Sequence, residues 1–159
     1  MSKFDLSEKL KEELKRRNLW EQEEDEDEDQ DEETSSNHNN DFCDMVCQLL
    51  HSQTQVHIFH LGTKSYSEHK ALQGYYEGID ALVDGVIESY QGKYGLLTNY
   101  KSFKNQSYKN KNQVLKYFTG LLNMIEEKRD CCDDSFIQNQ IDTIQELAYS
   151  TIYKLKFLQ

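Results

Sequence analysis

The 159-residue chain contains no proline and only seven glycines, so few positions in it would interrupt a helix. From residue 41 onward, apolar residues recur at the spacing of amphipathic helices. Gly62 and Thr63 separate the first two of these periodic segments, and Gly92 and Gly95 end the second. The pattern predicts an all-α domain with four helices, at 41–62, 66–91, 110–129 and 134–157.

The connection between the second and third predicted helices is long. It covers residues 96–109, and a short helix is predicted within it at 97–103. The last two helices are joined only by the Asp130–Asp134 turn. Two helices, a long connection and two more helices are typical of a ferritin-like four-helix bundle with a crossover connection. A simple up-and-down bundle would need a shorter middle connection.

The acidity of the chain is concentrated in one segment. Residues 21–33 contain eleven Asp and Glu and no base. Removing these eleven from the 29 acids of the chain leaves 18, which equals the number of lysines and arginines. A run of like charges repels itself and cannot be buried. We therefore expect residues 21–40 to be a disordered acidic linker that precedes a domain at 41–159.

Residues 1–20 have a helical pattern of their own. Leu6, Leu10 and Leu14 recur four residues apart between charged residues, and Ser2 with Asp5 matches a capping box. A short helix ahead of a flexible linker is marginal in water. The pattern fits both a docking helix for an unknown partner and a solubilising or packing arm.

Two features indicate a cytoplasmic protein. The sequence shows neither a signal peptide nor an apolar stretch long enough to span a bilayer, and its four cysteines do not form a secreted disulfide framework. Cys43, Cys47 and His51 lie four residues apart on one helix face, which allows a zinc site. No fourth ligand is obvious, so the cysteines are better interpreted as small buried hydrophobic residues.

The second predicted helix carries an acidic stripe beside its apolar face, made of Glu77, Asp80, Asp84 and Glu88. No lysine stands four residues after any of them to relieve the repulsion. The stripe is either a solvated surface or a set of carboxylates that a metal ion would neutralise. On the first helix, His57 and His60 fall on the apolar side, where a histidine is either a core residue or a ligand.

The segment 57–95 resembles the Dps family, the miniferritins named as DNA-binding proteins from starved cells. In that family, a histidine near the end of the first helix is followed by a second histidine twelve positions later. An Asp follows fifteen positions after that, and a Glu four further on. The residues at these intervals here are His57, His69, Asp84 and Glu88. Gly62 matches a family glycine, and DTIQELAYSTIYKLKFL is similar to the last helix of the family.

This resemblance implies a ferroxidase that binds iron between subunits. In the family, two subunits pack antiparallel, and the histidines of one face the Asp and Glu of the other. Peroxide or oxygen oxidises the Fe(II) bound there, and the product is sequestered inside a dodecamer, which limits oxidative damage. The resemblance therefore implies a homo-oligomer, at least a dimer, with this site at His57, His69, Asp84 and Glu88.

Two positions depart from the family pattern. The family usually has Asp or Glu four residues after the second histidine, and this chain has Gln73, a weaker and uncharged ligand. His60 has no counterpart and is either an additional weak ligand or a buried structural residue. The chain also resembles uncharacterised ferritin-like proteins of large tailed phages, which would place it in the host cytoplasm.

Two other functions fit parts of the sequence. Residues 89–125 contain six lysines, no acid and several aromatic residues, a composition typical of a nucleic-acid surface or of a solvated crossover loop. The acidic run should oppose phosphate binding, which disfavours DNA as a partner. The alternative to iron oxidation is a catalytically idle ferritin-like bundle that acts as an interaction protein through residues 1–20.

Overall fold

The computed structural model describes residues 39–158, and within them all regular structure is helical. The expectation of an all-α chain with four long helices is confirmed for this part. The elements are α1 at 39–62, α2 at Tyr66–Tyr94, α3 at Lys111–Lys128, a 3-10 turn at Arg129–Cys131 and α4 at Ser135–Phe157. The predicted helix at 1–20 and almost all of the acidic linker lie outside the described residues.

Local capping sets the ends of the helices. The Ser65 hydroxyl accepts a hydrogen bond from the backbone N–H of Glu68 at the start of α2. The Asn110 side chain caps α3 in the same way. Gly95 ends α2 with a φ of 91°, a conformation that costs glycine little. The helix passes through Gly92 without a break, so its predicted end at residue 91 is three residues early.

The helices α1 and α2 form an antiparallel hairpin. The rings of Phe42 and Tyr90 stack at one end of it, with centroids 3.6 Å apart. In the middle, the hydroxyls of Ser52 and Tyr75 are hydrogen-bonded at 2.9 Å. The rings of His60 and His69 stack at the other end, so α1 and α2 contact each other along their whole shared length.

Helices α3 and α4 form a second antiparallel pair, which packs on α1 and α2. Lys128 at the end of α3 forms an ion pair with Asp41 at the start of α1. Near the start of α4, Gln140 donates to Ser89 near the end of α2. Helices α1 and α4 therefore run in one direction, and α2 and α3 run in the other.

Residues 95–110 bridge the parallel pair α2 and α3 by following α1 from its first turns to its end. The contacts come in order along the helix: Lys101 with Asp44, Asn105 with His51, and Gln106 with Gln55. The predicted short helix at 97–103 is wrong, because this segment is non-helical throughout. Its polar groups are instead satisfied by α1, as when the backbone N–H of Lys101 donates to Cys47 Sγ.

The four helices bury one continuous hydrophobic core. Its largest fully buried side chains include Tyr75, Phe42, Phe59, Phe118 and Met45. Burial raises the pKa of the Tyr75 phenol, whose hydroxyl keeps Ser52 as its partner. Within residues 39–158, no helix is long and apolar enough to cross a membrane.

The pairing of Gln55 with Gln106 gives a direct test of this arrangement. Gln55 is fully buried, donates to the Gln106 carbonyl at 2.8 Å and accepts from its N–H at 2.7 Å. Gln55→Ala leaves both backbone groups unpaired, so we expect the free energy of unfolding in urea to fall by about 2–3 kcal/mol. Gln53→Ala on the same helix is the matched control, with an expected change below about 0.5 kcal/mol. Equal effects of the two substitutions would contradict the arrangement.

Candidate functional site

Three histidines and a tyrosine meet where α1 ends and α2 begins. The rings of His60 and His69 stack with centroids 3.6 Å apart. The ring of His57 stacks on Tyr76 at 4.2 Å and lies 5.8 Å from His60. His60 is buried, whereas His57 and His69 are partly exposed. The structure therefore brings together the two histidines that the sequence singled out, with His60 between them.

Hydrogen bonds to the backbone fix the tautomers of His60 and His69. Nδ1 of His60 lies 2.9 Å from the carbonyl oxygen of His69, and Nδ1 of His69 lies 3.2 Å from the carbonyl oxygen of His60. Because a carbonyl oxygen only accepts, each Nδ1 must carry the hydrogen. The neutral rings then keep their lone pair on Nε2, the state in which histidine binds metals. Metal-bound histidines commonly hold their second ring nitrogen in this way.

The two carboxylates of the expected site lie elsewhere on α2. Asp84 and Glu88 are exposed and one helical turn apart, and no lysine or arginine among residues 39–158 forms an ion pair with either. The pair Asp142 and Glu146 on α4 has the same spacing, but there Arg129 neutralises Asp142 at 2.7 Å. Asp84 and Glu88 are therefore an uncompensated negative surface.

One chain cannot bring these histidines and carboxylates together. His69 and Asp84 are fifteen residues apart on one unbroken helix, which is about 22 Å along its axis. Among the described residues of a single chain, no three His, Cys, Asp or Glu side chains converge to hold a metal ion. A site that uses all four residues therefore requires two copies of the chain.

Both the oxygen and the nitrogen of the Gln73 side-chain amide are hydrogen-bonded to other residues of α2. Its oxygen accepts from the Lys70 ammonium, and its nitrogen donates to the Glu77 carboxylate at 2.7 Å. The three side chains form a chain of hydrogen bonds along the exposed face of α2. The expected weak metal ligand is thus engaged within its own helix.

Glu68 is a buried carboxylate that the sequence analysis missed. It is 3% exposed, and its Oε2 accepts from the Thr63 hydroxyl at 3.0 Å and the Tyr108 hydroxyl at 3.2 Å. Its Oε1 is buried without a partner in the described residues. The sequence signal was the spacing of Ser65 and Glu68, which matches a capping box. The side chain turns instead to the end of the 95–110 connection, and it fixes that segment beside the histidines.

Gly62 allows the connection to approach α1 closely at the same place. A Cβ atom on Gly62 would lie 2.4 Å from Cβ of Tyr108, well inside van der Waals contact. The glycine that fits the family pattern is therefore required here by packing.

The clash at Gly62 predicts the effect of adding one methyl group. Gly62→Ala should lower the free energy of unfolding by about 2 kcal/mol or more, because Tyr108 must move away from Glu68. Gly92→Ala is the control, since nothing lies within 4 Å of its Cβ position inside α2. That substitution should raise stability by about 0.5–1 kcal/mol through helix propensity. Chemical denaturation of both variants measures the difference, and a stabilised Gly62→Ala would refute the close approach.

The cysteines fit the interpretation as buried hydrophobic residues. All four are free and buried. Burial raises the pKa of the Cys43 thiol, and it raises the pKa of Cys131 to about 12, so neither is a thiolate at neutral pH. The side chain of His51 bonds Asn105 at 2.9 Å. Nothing in this geometry supports zinc at Cys43, Cys47 and His51.

The sequence matches one known family. The model of a family of unknown function, DUF5856, covers residues 60–155. The match includes His60, His69, Asp84 and Glu88 and begins three residues after His57. No curated protein and no solved structure matches the chain.

Proposed function

We propose that this chain, which belongs to the DUF5856 family of unknown function, is a cytoplasmic iron-binding protein that oxidises and sequesters Fe(II) at a site shared by two copies. His57 and His69 of one copy would supply imidazole ligands, and Asp84 and Glu88 of the other would supply carboxylates. Mixed imidazole and carboxylate ligands with open positions suit Fe(II) and its oxidation by peroxide or oxygen. In this proposal iron is the substrate.

The observation that carries the proposal is the orientation of the histidine rings. The backbone carbonyl that holds Nδ1 of His69 leaves Nε2 of that partly exposed ring as the acceptor of a metal ion. His57 is stacked on Tyr76 and lies 5.8 Å from His60, the ring on which His69 stacks. Nε2 of His69 has no hydrogen-bond partner among the described residues and is therefore available to a ligand.

The exposed face of α2 supports the pairing of two copies. If two α2 helices pack antiparallel with His69 opposite Asp84, the centre of the pair falls between Tyr76 and Glu77. Gly74 lies close to this centre, and nothing lies within 4 Å of its Cβ position. Small side chains let two helix backbones approach closely. Two equivalent sites would form, one on each side of the twofold axis.

The helix order supports the finer topology within the proposal. Parallel α2 and α3 joined by one long connection are the arrangement of ferritin-like bundles. Gln73 lies where the Dps family, which this sequence resembles, usually has a carboxylate, and its amide is engaged with Lys70 and Glu77. We therefore infer one good iron position per site. Storage in a dodecamer belongs to the same proposal, and a dimer is its minimum.

Mixing two inactive variants tests the shared site. His57→Ala with His69→Ala removes one half of the ligands, and Asp84→Ala with Glu88→Ala removes the other half. Each double variant alone should bind Fe(II) at least about tenfold more weakly. Co-expressed in equal amounts, the two should recover about a quarter of the iron sites of the unaltered protein, since each site draws on two chains. Bound iron per chain and the amber Fe(III) absorbance after peroxide are the readouts.

The control is the carboxylate pair on α4 with the same spacing. Asp142→Asn with Glu146→Gln should leave iron binding unchanged. Circular dichroism of each variant verifies folding. Recovery no greater than the sum of the two variants would refute a site between subunits. An unaltered protein that binds no iron would favour the idle bundle that acts through residues 1–20.

A further inference from the structure

A cavity of about 710 Å³ lies between α1, the 95–110 connection and α3. His57, His60 and His69 do not line it. This volume is in the range of small-molecule sites. The side chains that decide its chemistry are Lys104, Lys109, Lys116, His51, Phe103 and Tyr117.

The cavity is positively charged. Three lysines line it and no carboxylate does. Within residues 39–158 none of these three forms an ion pair, whereas Lys93, Lys101 and Lys128 each face an aspartate. The first turn of α3 contains no acid, and the positive end of its helix dipole lies at the same place. An anion in this cavity would meet four sources of positive potential and no carboxylate among the described residues that line it.

An aromatic face accompanies the lysines. Phe103 is 40% exposed although it is a large apolar side chain. Its ring lies 5.5 Å from the ring of His51, tilted by 51°. An exposed aromatic ring next to lysines offers stacking to a planar heterocycle. Tyr117, which also lines the cavity, is partly buried, and burial raises the pKa of its phenol, so it stays neutral at pH 7.

The walls of the cavity are held in place by hydrogen bonds. The buried Gln55 fixes the backbone of Gln106, and Asn105 bonds His51. Gln113 of α3 accepts from the backbone N–H of Lys109 at 2.7 Å and donates to the carbonyl of Ser107 at 3.1 Å. The lysine-bearing segment therefore does not need to reorganise before it binds a ligand, which favours affinity.

We propose that this cavity binds a nucleoside phosphate, with the phosphates on Lys109 and Lys116 and the base against Phe103. The charge distribution favours a mononucleotide over a nucleic-acid strand. A strand needs a basic groove that continues past the cavity. Towards the start of the connection, the next lysine is Lys101, which Asp44 neutralises, so on that side the uncompensated positive charge ends at Lys104. This binding does not depend on the iron site.

Calorimetric titration of the full-length protein with ADP tests the proposal. ADP should bind saturably and more weakly as salt rises. Lys109→Gln with Lys116→Gln should weaken ADP binding by about tenfold or more. The control, Lys154→Gln with Lys156→Gln on α4, removes the same charge and should change it less than about twofold. Phe103→Leu should weaken ADP by about fivefold or more and leave pyrophosphate binding unchanged.

Several results would overturn the assignment. One is the absence of saturable ADP binding at millimolar concentration, and another is an equal loss in the two lysine double variants. Pyrophosphate binding as tight as ADP would show an anion site that does not read a base. A single-stranded oligonucleotide that binds more tightly than ADP, through the same lysines, would assign the surface to nucleic acid instead.

Discussion

The course of the 95–110 connection depends on the hydrogen bonds between the buried side chain of Gln55 and the backbone of Gln106. A long non-helical connection has no regular partner for its own N–H and carbonyl groups, so the helix that it follows must satisfy them. The fully buried side chain of Gln55 supplies both a donor and an acceptor to one residue of the connection. Tyr108 and the start of α3 come directly afterwards. This one pair thus fixes the contact with Glu68, the close approach at Gly62 and the wall of the lysine-lined cavity.

The proposed iron site and the pairing of subunits depend on each other energetically. Pairing moves Asp84 and Glu88 out of water and against the histidines of the other copy, and neither carboxylate has a cationic partner among the described residues, so their burial costs free energy. A divalent ion between imidazoles and these carboxylates offsets that cost. A ligand that binds only the assembled state stabilises it by mass action. Iron is therefore expected to strengthen the association of the copies that bind it.

Local signals made most of the fold predictable. Ser65, Asn110 and Gly95 act within one turn of their own helices, and the helix bounds follow them to within about three residues. The 95–110 connection was predicted partly as a helix, because the spacing of its apolar residues is a local signal that does not include its contacts with α1. The features that give this segment its shape are contacts between residues far apart in the chain, such as Gln106 with Gln55.

The candidate site was also predictable only in part from the sequence. The resemblance implied that His57 and His69 act together, and the structure places each of them next to His60, whereas the length of α2 separates His69 from Asp84. The sequence could not predict the paired hydrogen bonds of His60 and His69, which depend on how two helix ends pack. It also missed the burial of Glu68, because its partner Tyr108 lies forty residues away.

In the proposed assembly, each iron ion is held by residues of two chains. Anomalous diffraction at the iron edge, from crystals of the oligomer soaked anaerobically in Fe(II), tests it most directly. The account predicts a peak about 2 Å from imidazole nitrogens of His57 and His69 in one copy and from carboxylate oxygens of Asp84 and Glu88 in another. Iron bound entirely within one chain, or no iron between copies, would contradict it.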